Sequence, residues 1–231
     1  MMRFTGPACA VLALTTVAHG AIIYTNTTQT GSRYNPSPDA TGAPRIAFDD
    51  VLIPAANYGT NNVFEITKVS IGLRRAGVNS PAQQISLYHT NFVGNTIDTP
   101  VNFANFQIPQ SGPTTAFVTE VWSVGDGVTP LFTTVPNETL APGFGAFAIG
   151  VRMGDTSSNT GWRVTNGPDT NLNAGWNWDL SNGTAMGPFT FSGTNPPAVT
   201  MYLEVEGNFV PAPGAKLPAA CGAVAITRRR R

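Results

Sequence analysis

Trp176 and Trp178 stand two positions apart, with Trp162 a short way before them. Alternate side chains of an extended segment point the same way, so the indoles of Trp176 and Trp178 share one side. A planar pair of this kind stacks on sugar rings, while Asn177, Asp179 and Asn173 are placed to bond the hydroxyls. Trp162, Trp176, Trp178, Asn177 and Asp179 are thus the candidate ligand-binding set. The plainer reading puts the same rings in the core, the commoner home of tryptophan. Trp122, in a segment with Val118 and Val124, reads as core outright.

Asp169, Asn171 and Asn173 alternate along a Gly-terminated loop. Oxygen ligands from alternate residues converge on a hard cation when such a loop curls, and the cation would be calcium. The spacing departs from the helical calcium loop, because Gly175 falls one position late and Leu180 stands where a bidentate Glu belongs. The segment from Asp155 to Asn159 and the pair Asp49-Asp50 are lesser candidates. All these residues are also ordinary turn formers. Calcium at Asp169, Asn171 and Asn173 is the one cofactor the sequence suggests; otherwise none is expected.

Hydrolytic chemistry fares worse. Between the terminal segments the chain holds one histidine, His89, and no nucleophile elbow, so a Ser-His-Asp triad has no material. His89, closing Ile85-Ser86-Leu87-Tyr88, is expected at a surface or edge. Paired carboxylates could be drawn from Asp49, Asp50, Glu65, Glu120, Glu204 and Glu206, but glycoside hydrolysis needs two at a set separation across a cleft. Both cysteines, Cys9 and Cys221, are terminal, which leaves the body without a disulfide, a catalytic thiol or a cysteine metal site. The expectation is a protein that is not an enzyme.

Charge narrows the partners. Of 13 basic residues, Arg3, Lys216 and Arg228 to Arg231 are terminal, whereas all 13 acidic residues lie between Asp39 and Glu206. The body is therefore anionic and carries no basic stripe. Nucleic acid is excluded as a partner, since phosphate neutralisation needs clustered Lys and Arg.

The elements that must position these residues are strands. Charged residues are only 11% of the chain while Gly (24) and Pro (19) abound, which favours strands joined by polar turns. Phe147, Ile149, Val151 and Met153 share one side, with Ala146, Ala148, Gly150 and Arg152 opposite. Val199, Met201, Leu203 and Val205 share another, facing away from Thr200, Tyr202, Glu204 and Glu206. This is the alternation of half-buried antiparallel strands. In Val63 to Leu73 the apolar parity switches between Ile66 and Val69, and a bulge at Thr67-Lys68 would return both sets to one core. Ile46 to Ile53, Ile85 with Leu87, and Phe117 to Val124 are further strands. Weaker ones are Ala21 to Thr25, Trp162 to Val164, Trp176 to Asp179 and Pro188 to Phe191. Roughly eight to eleven strands without crossover helices predict an all-β, antiparallel two-sheet sandwich. A jelly roll suits the length better than an immunoglobulin domain of ~100 residues.

The termini read as export signals. Met1-Met2-Arg3, the apolar stretch Ala8 to Val17, and small residues before a break at Gly20-Ala21 make residues 1–20 a cleaved signal peptide. The stretch is shorter than the about 20 residues a membrane span needs. The sandwich domain covers 21–207. The segment 208–231 runs from Val210-Pro211-Ala212-Pro213-Gly214 through small residues, Ala215 to Thr227, to Arg228, Arg229, Arg230 and Arg231. Physically this is a stiff spacer, a short hydrophobic segment and a basic stop.

This order resembles the PEP-CTERM sorting signal, in its Val-Pro-Ala-Pro-Gly variants. The chain departs from that pattern at Ala212, where the family usually has Glu, and at Lys216 and Pro218 within the hydrophobic part. The resemblance implies passage through the export machinery, transient membrane contact through the tail, and processing by an exosortase-like enzyme. It also implies a secreted or cell-surface destination. The stretch from Phe48 to Val69 is similar, more loosely, to the start of β-sandwich domains in such exported proteins.

The sequence thus predicts an exported, surface-sorted, non-catalytic protein with a structural or interaction role in the cell envelope or extracellular matrix. The alternative is a carbohydrate-binding module with a Trp platform for extracellular polysaccharide. A secreted glycoside-active enzyme ranks last.

Overall fold

The computed structural model describes residues 20–36, 38, 41–54, 63–75, 80–111, 118–136, 143–154, 160–166, 174–190 and 199–210. The described strands are β1 (Ala21–Asn26), β2 (Gln29–Tyr34), β3 (Ile46–Pro54), β4 (Val63–Arg75), β5 (Gln83–Val93), β6 (Thr96–Ile97), β7 (Val101–Ile108) and β8 (Val118–Val124). They continue as β9 (Phe132–Thr134), β10 (Phe144–Met153), β11 (Thr160–Asn166), β12 (Ala174–Asp179), β13 (Thr184–Thr190), β14 (Val199–Met201) and β15 (Leu203–Val210). No helix occurs among the described residues, and every pairing is antiparallel.

Eight strands form the frame. One sheet contains β1-β15-β4-β8 and the other β3-β10-β5-β7. Numbered along the chain, the first of the eight pairs with the eighth, the second with the seventh, the third with the sixth and the fourth with the fifth. That nesting is one long hairpin rolled over two sheets, the jelly-roll arrangement. Between β10 and β15 the chain inserts β11 to β14. Strands β11 and β14 widen the first sheet, joined there by β2, while β12 and β13 extend the second beyond β3.

Period two builds the main core between the sheets. Phe64, Ile66, Val69, Ile71 and Leu73 of β4 meet Phe147, Ile149, Val151 and Met153 of β10 there. The expected bulge in β4 is present: Lys68 pairs with Glu206 and Ile66 with Gly207, which leaves Thr67 as the extra residue. Its hydroxyl donates to the Glu206 carbonyl at 3.4 Å. One inserted residue therefore keeps five apolar side chains on one side of a thirteen-residue strand.

The second sheet differs from the sequence expectation. The side of β10 formed by Ala146, Ala148 and Gly150 is buried, and a second apolar cluster covers it. Ile46, Phe48 and Leu52 of β3, Phe92 of β5, Ile97 of β6 and Trp176 of β12 make up that cluster. The small side chains are the cause. A Cβ at Gly150 would collide with the Phe48 ring, so the ring lies directly on the backbone. The sheet curls until β6 meets β13, enclosing the cluster. Strands β3 and β10 are thus buried on both sides, the situation usual for central strands of parallel sheets.

His89 also departs from expectation. It is half-buried between the sheets, stacked on Phe132 with centroids 4.1 Å apart and planes 3° apart. Burial holds its pKa below the usual histidine value, which favours the neutral ring.

Burying β3 on both sides carries Asp49 and Asp50 into the interior, at 1% and 0% exposure. Asp49 faces the main core, where its Oδ2 accepts the Met201 N–H at 2.9 Å, and Asn26 Nδ2 donates to the Met201 carbonyl at 3.3 Å. Asp49 Oδ1 and Asn26 Oδ1, beside the Met201 backbone, are buried without a hydrogen-bond partner among the described residues. Burial first, and then the adjacent Asp50, hold the Asp49 pKa well above the carboxylate range. The folded state therefore keeps a proton that the unfolded chain releases. The stability this confers is complete below the ordinary carboxylate pKa and is lost as pH rises through the raised one. Asp49→Asn keeps the acceptor for Met201 and cannot ionise. Thermal melts should show the variant gaining on the wild type as pH rises from about 4 to about 8. A constant gap across that range would refute the neutral carboxyl.

Candidate functional site

The structure takes the sequence-predicted set apart. Trp162, on β11, is fully buried in the main core, and its Nε1 donates to the Tyr202 carbonyl at 2.9 Å. Trp176 is fully buried in the second cluster, edge-on to Phe92, with Nε1 donating to the Asn95 carbonyl at 3.2 Å. Trp178 shares the side of Trp176 and is half-buried against the same cluster. The parity expected for the pair holds, but that side faces inward. Trp176 has no free face on which to stack a sugar.

The polar members are structural too. Asn177, on the other side of β12, exchanges hydrogen bonds with the Tyr34 hydroxyl across the sheets. Asp179 Oδ1 accepts the N–H and hydroxyl of Ser181, its Oδ2 accepts Arg45 Nη2 at 3.1 Å, and its carbonyl accepts the Gly183 N–H. The Ser181 hydroxyl is the main reason its pKa lies below the usual value, with the Arg45 charge adding. Asp179 is thereby committed to the turn between β12 and β13. Trp122 is half-buried on the main core, stacked on Phe106 at 5.7 Å.

Asp169, Asn171 and Asn173 lie outside the described residues, as does the segment from Asp155 to Asn159. Among the described residues no three His, Cys, Asp or Glu side chains gather as metal ligands. Gly20 and Ala21 are described: the Gly20 N–H donates to the Gly127 carbonyl at 2.6 Å and Ala21 opens β1. Val210 ends β15, and the sorting motif from Pro211 to Arg231 lies outside the described residues.

What the fold does offer is an open groove where the second apolar cluster runs out. Register places Arg152 of β10 opposite Ser86 of β5, and Ser86 opposite Asn105 of β7. Tyr88 pairs with Gly150 on one side and with Asn102 on the other. Three adjacent strands thus set Arg152, Ser86, Tyr88, Asn102 and Asn105 on one surface, with Gln84 at the end. The cavity has a volume of about 450 Å³, and a second of about 350 Å³ continues past Gln84 and Asn105 to Phe106. Volumes of this order suit small-molecule ligands.

Its lining is mostly polar, set around one aromatic ring. Arg152 Nε is buried and finds no hydrogen-bond partner among the described residues. Asn102 Nδ2 donates to the Leu87 carbonyl at 3.0 Å, and Asn105 Nδ2 donates to Asn102 Oδ1 at 2.8 Å. The two amides are thus held rigid, and Asn105 keeps a second amide hydrogen for a ligand. Tyr88 supplies an aromatic ring that touches the apolar cluster on its other flank. Sequence reasoning missed this site. The signal was the polar alternation Gln84, Ser86, Tyr88 in β5, but cross-strand register alone reveals Arg152 beside it.

No family model and no curated protein matches the chain. Among solved structures it is similar to the cysteine protease and lectin-like domains of Cwp84, a surface layer associated protein of Clostridium difficile, with 12% identity and a TM-score of 0.43. The match covers 71% of this chain and 32% of that one, so the chain spans about a third of its length. At that distance the likeness carries no activity over.

Because Trp176 is packed core, Trp176→Ala should cost about 3–5 kcal/mol of stability in urea unfolding. Trp178→Ala, truncating a half-exposed ring, should cost clearly less. Equal and small losses for both would mean that the Trp176 site is open to water.

Proposed function

We propose that the chain is an exported, non-catalytic β-sandwich protein of the cell surface or extracellular matrix, and that its groove holds extracellular polysaccharide. The observation that carries this reading is the groove itself: amides, a hydroxyl and a guanidinium around one aromatic ring, on rigid strands. Hydroxyl-rich chains are bound by such combinations, the polar groups fixing orientation and the ring covering an apolar sugar face. The described lining contains no carboxylate. Glycoside hydrolysis needs two, and this supports binding without turnover. The leader and the tail resembling a sorting signal support the destination.

Two measurements test the proposal. On immobilised polysaccharide from the native matrix, the full chain should be retained, and Tyr88→Ala with Asn105→Ala should weaken retention about tenfold or more. A folded double variant retained like the wild type, or a wild type that is not retained, removes the groove from consideration. Mass spectrometry of the native protein by cell fraction should find termini near Ala21 and Val210. An intact Arg228 to Arg231 would argue against sorting.

A further inference from the structure

A second concentration of chemistry lies on the opposite sheet, on the side facing away from the core. Trp162 and Val164 of β11 point into the core, so Gly161 and Arg163 point outward. Arg33 of β2 is the register partner of Arg163, and Arg74 of β4 is the register partner of Gly161. Three arginines from three neighbouring strands therefore share one patch. Only seven basic residues lie between Asp39 and Glu206 or just before them, against 13 acidic ones, and three of the seven are gathered here.

Gly161 is what lets them gather. A Cβ there would sit 2.9 Å from Cβ, Cγ and Cδ of Arg33, so the Arg33 stem lies across β11 between Arg163 and Arg74. Arg163 is only 8% exposed, and its Nε is buried with no hydrogen-bond partner among the described residues. Burial, and then the charge of Arg74, depress the pKa of both Arg33 and Arg163. A buried guanidinium nitrogen without an acceptor costs free energy. An anionic oxygen set beside Arg163 Nε would relieve that cost, with Arg33 and Arg74 on the neighbouring strands adding positive charge.

The patch has an aromatic neighbour. Tyr202 lies between the core residues Met201 and Leu203 and so faces outward, and its N–H donates to the Arg163 carbonyl at 2.7 Å. Its ring covers Gly72, where a Cβ would come within 2.5 Å of Tyr202 Cγ. Gly72 and Arg74 are on the same side of β4, so the ring borders the arginines. Guanidinium groups beside a phenol ring suit a pyranose that bears a charged oxygen group.

We propose that Arg33, Arg74 and Arg163 form a second ligand site that takes the carboxylate or sulfate groups of an acidic polysaccharide, with Tyr202 against the sugar ring. This site is on the sheet opposite the groove and does not depend on it. The net-negative body leaves no general attraction for polyanions, so binding there must be local.

The test uses the full chain with three soluble polymers: polygalacturonate for carboxylates, dextran sulfate for sulfates and neutral dextran as control. Titration calorimetry should detect one or both acidic polymers, bound more tightly than neutral dextran and more weakly at high salt. Arg33→Gln with Arg74→Gln should weaken that binding about tenfold or more, while Ile22→Ala, at an exposed position of β1 outside both sites, leaves it unchanged. Arg163→Gln, at the more buried position, is read only if its melting temperature matches the wild type. Dextran bound as well as the acidic polymers, no binding by the wild type, or full binding by the folded Arg33→Gln/Arg74→Gln variant overturns the proposal. The last result would assign the polyanion to Arg228 to Arg231 instead.

Discussion

The second sheet depends on one close contact, the ring of Phe48 lying on the backbone of Gly150. Trp176 is the register partner of Phe48 on the next strand, so the two large rings form one layer over small neighbours. That layer makes β3 and β10 interior strands, with apolar matter on both sides. It also explains why two adjacent aspartates are buried. Successive residues of a strand point to opposite sides, and neither side of β3 reaches water at that point. The carboxyl of Asp49 is tolerated there because it sheds its charge and ties the Met201 peptide of the first sheet to the second. The groove begins where the ring layer stops, since Arg152 is the next residue on that side of β10 after Gly150.

Much of the frame was legible in the sequence because period two survives even local interruption. In β4 the parity switch between Ile66 and Val69 pointed to the bulge that the β15 register contains. The same device hid β7. Its pairing slips where Leu87 faces Ala104 and Tyr88 faces Asn102, so Phe103 and Phe106 fall on different parities and the alternation reads as noise. Strands β6 and β9 are two and three residues long, too short for any period to show.

The site was less legible, for a different reason. Spacing revealed that Trp176 and Trp178 share a side, but not which side water touches. Alternation sets Ala146, Ala148 and Gly150 opposite the bulky side of β10, where a half-buried strand would meet solvent, whereas their smallness is what admits Phe48. The run Ile46-Ala47-Phe48 and Val51-Leu52-Ile53, apolar on both parities, carried the missing information, since a strand apolar on both sides is buried on both. Groove and arginine patch share another difficulty. Each draws on three neighbouring strands, separated along the chain by stretches that fix no register. Both sit on strands rather than loops, which gives their side chains a rigid base.

The pairing of β1 with β15 has a kinetic consequence. Ala21 is opposite Gly207, so the first strand of the body finds its sheet partner only once the last has been made. Until then β1 and one flank of β4 are bare edges, open to pairing with other copies. Closing a loop of nearly the whole body is entropically slow. The first sheet therefore closes only when synthesis of the body is nearly complete, whereas the strands of the second sheet are all in place before β15 is made.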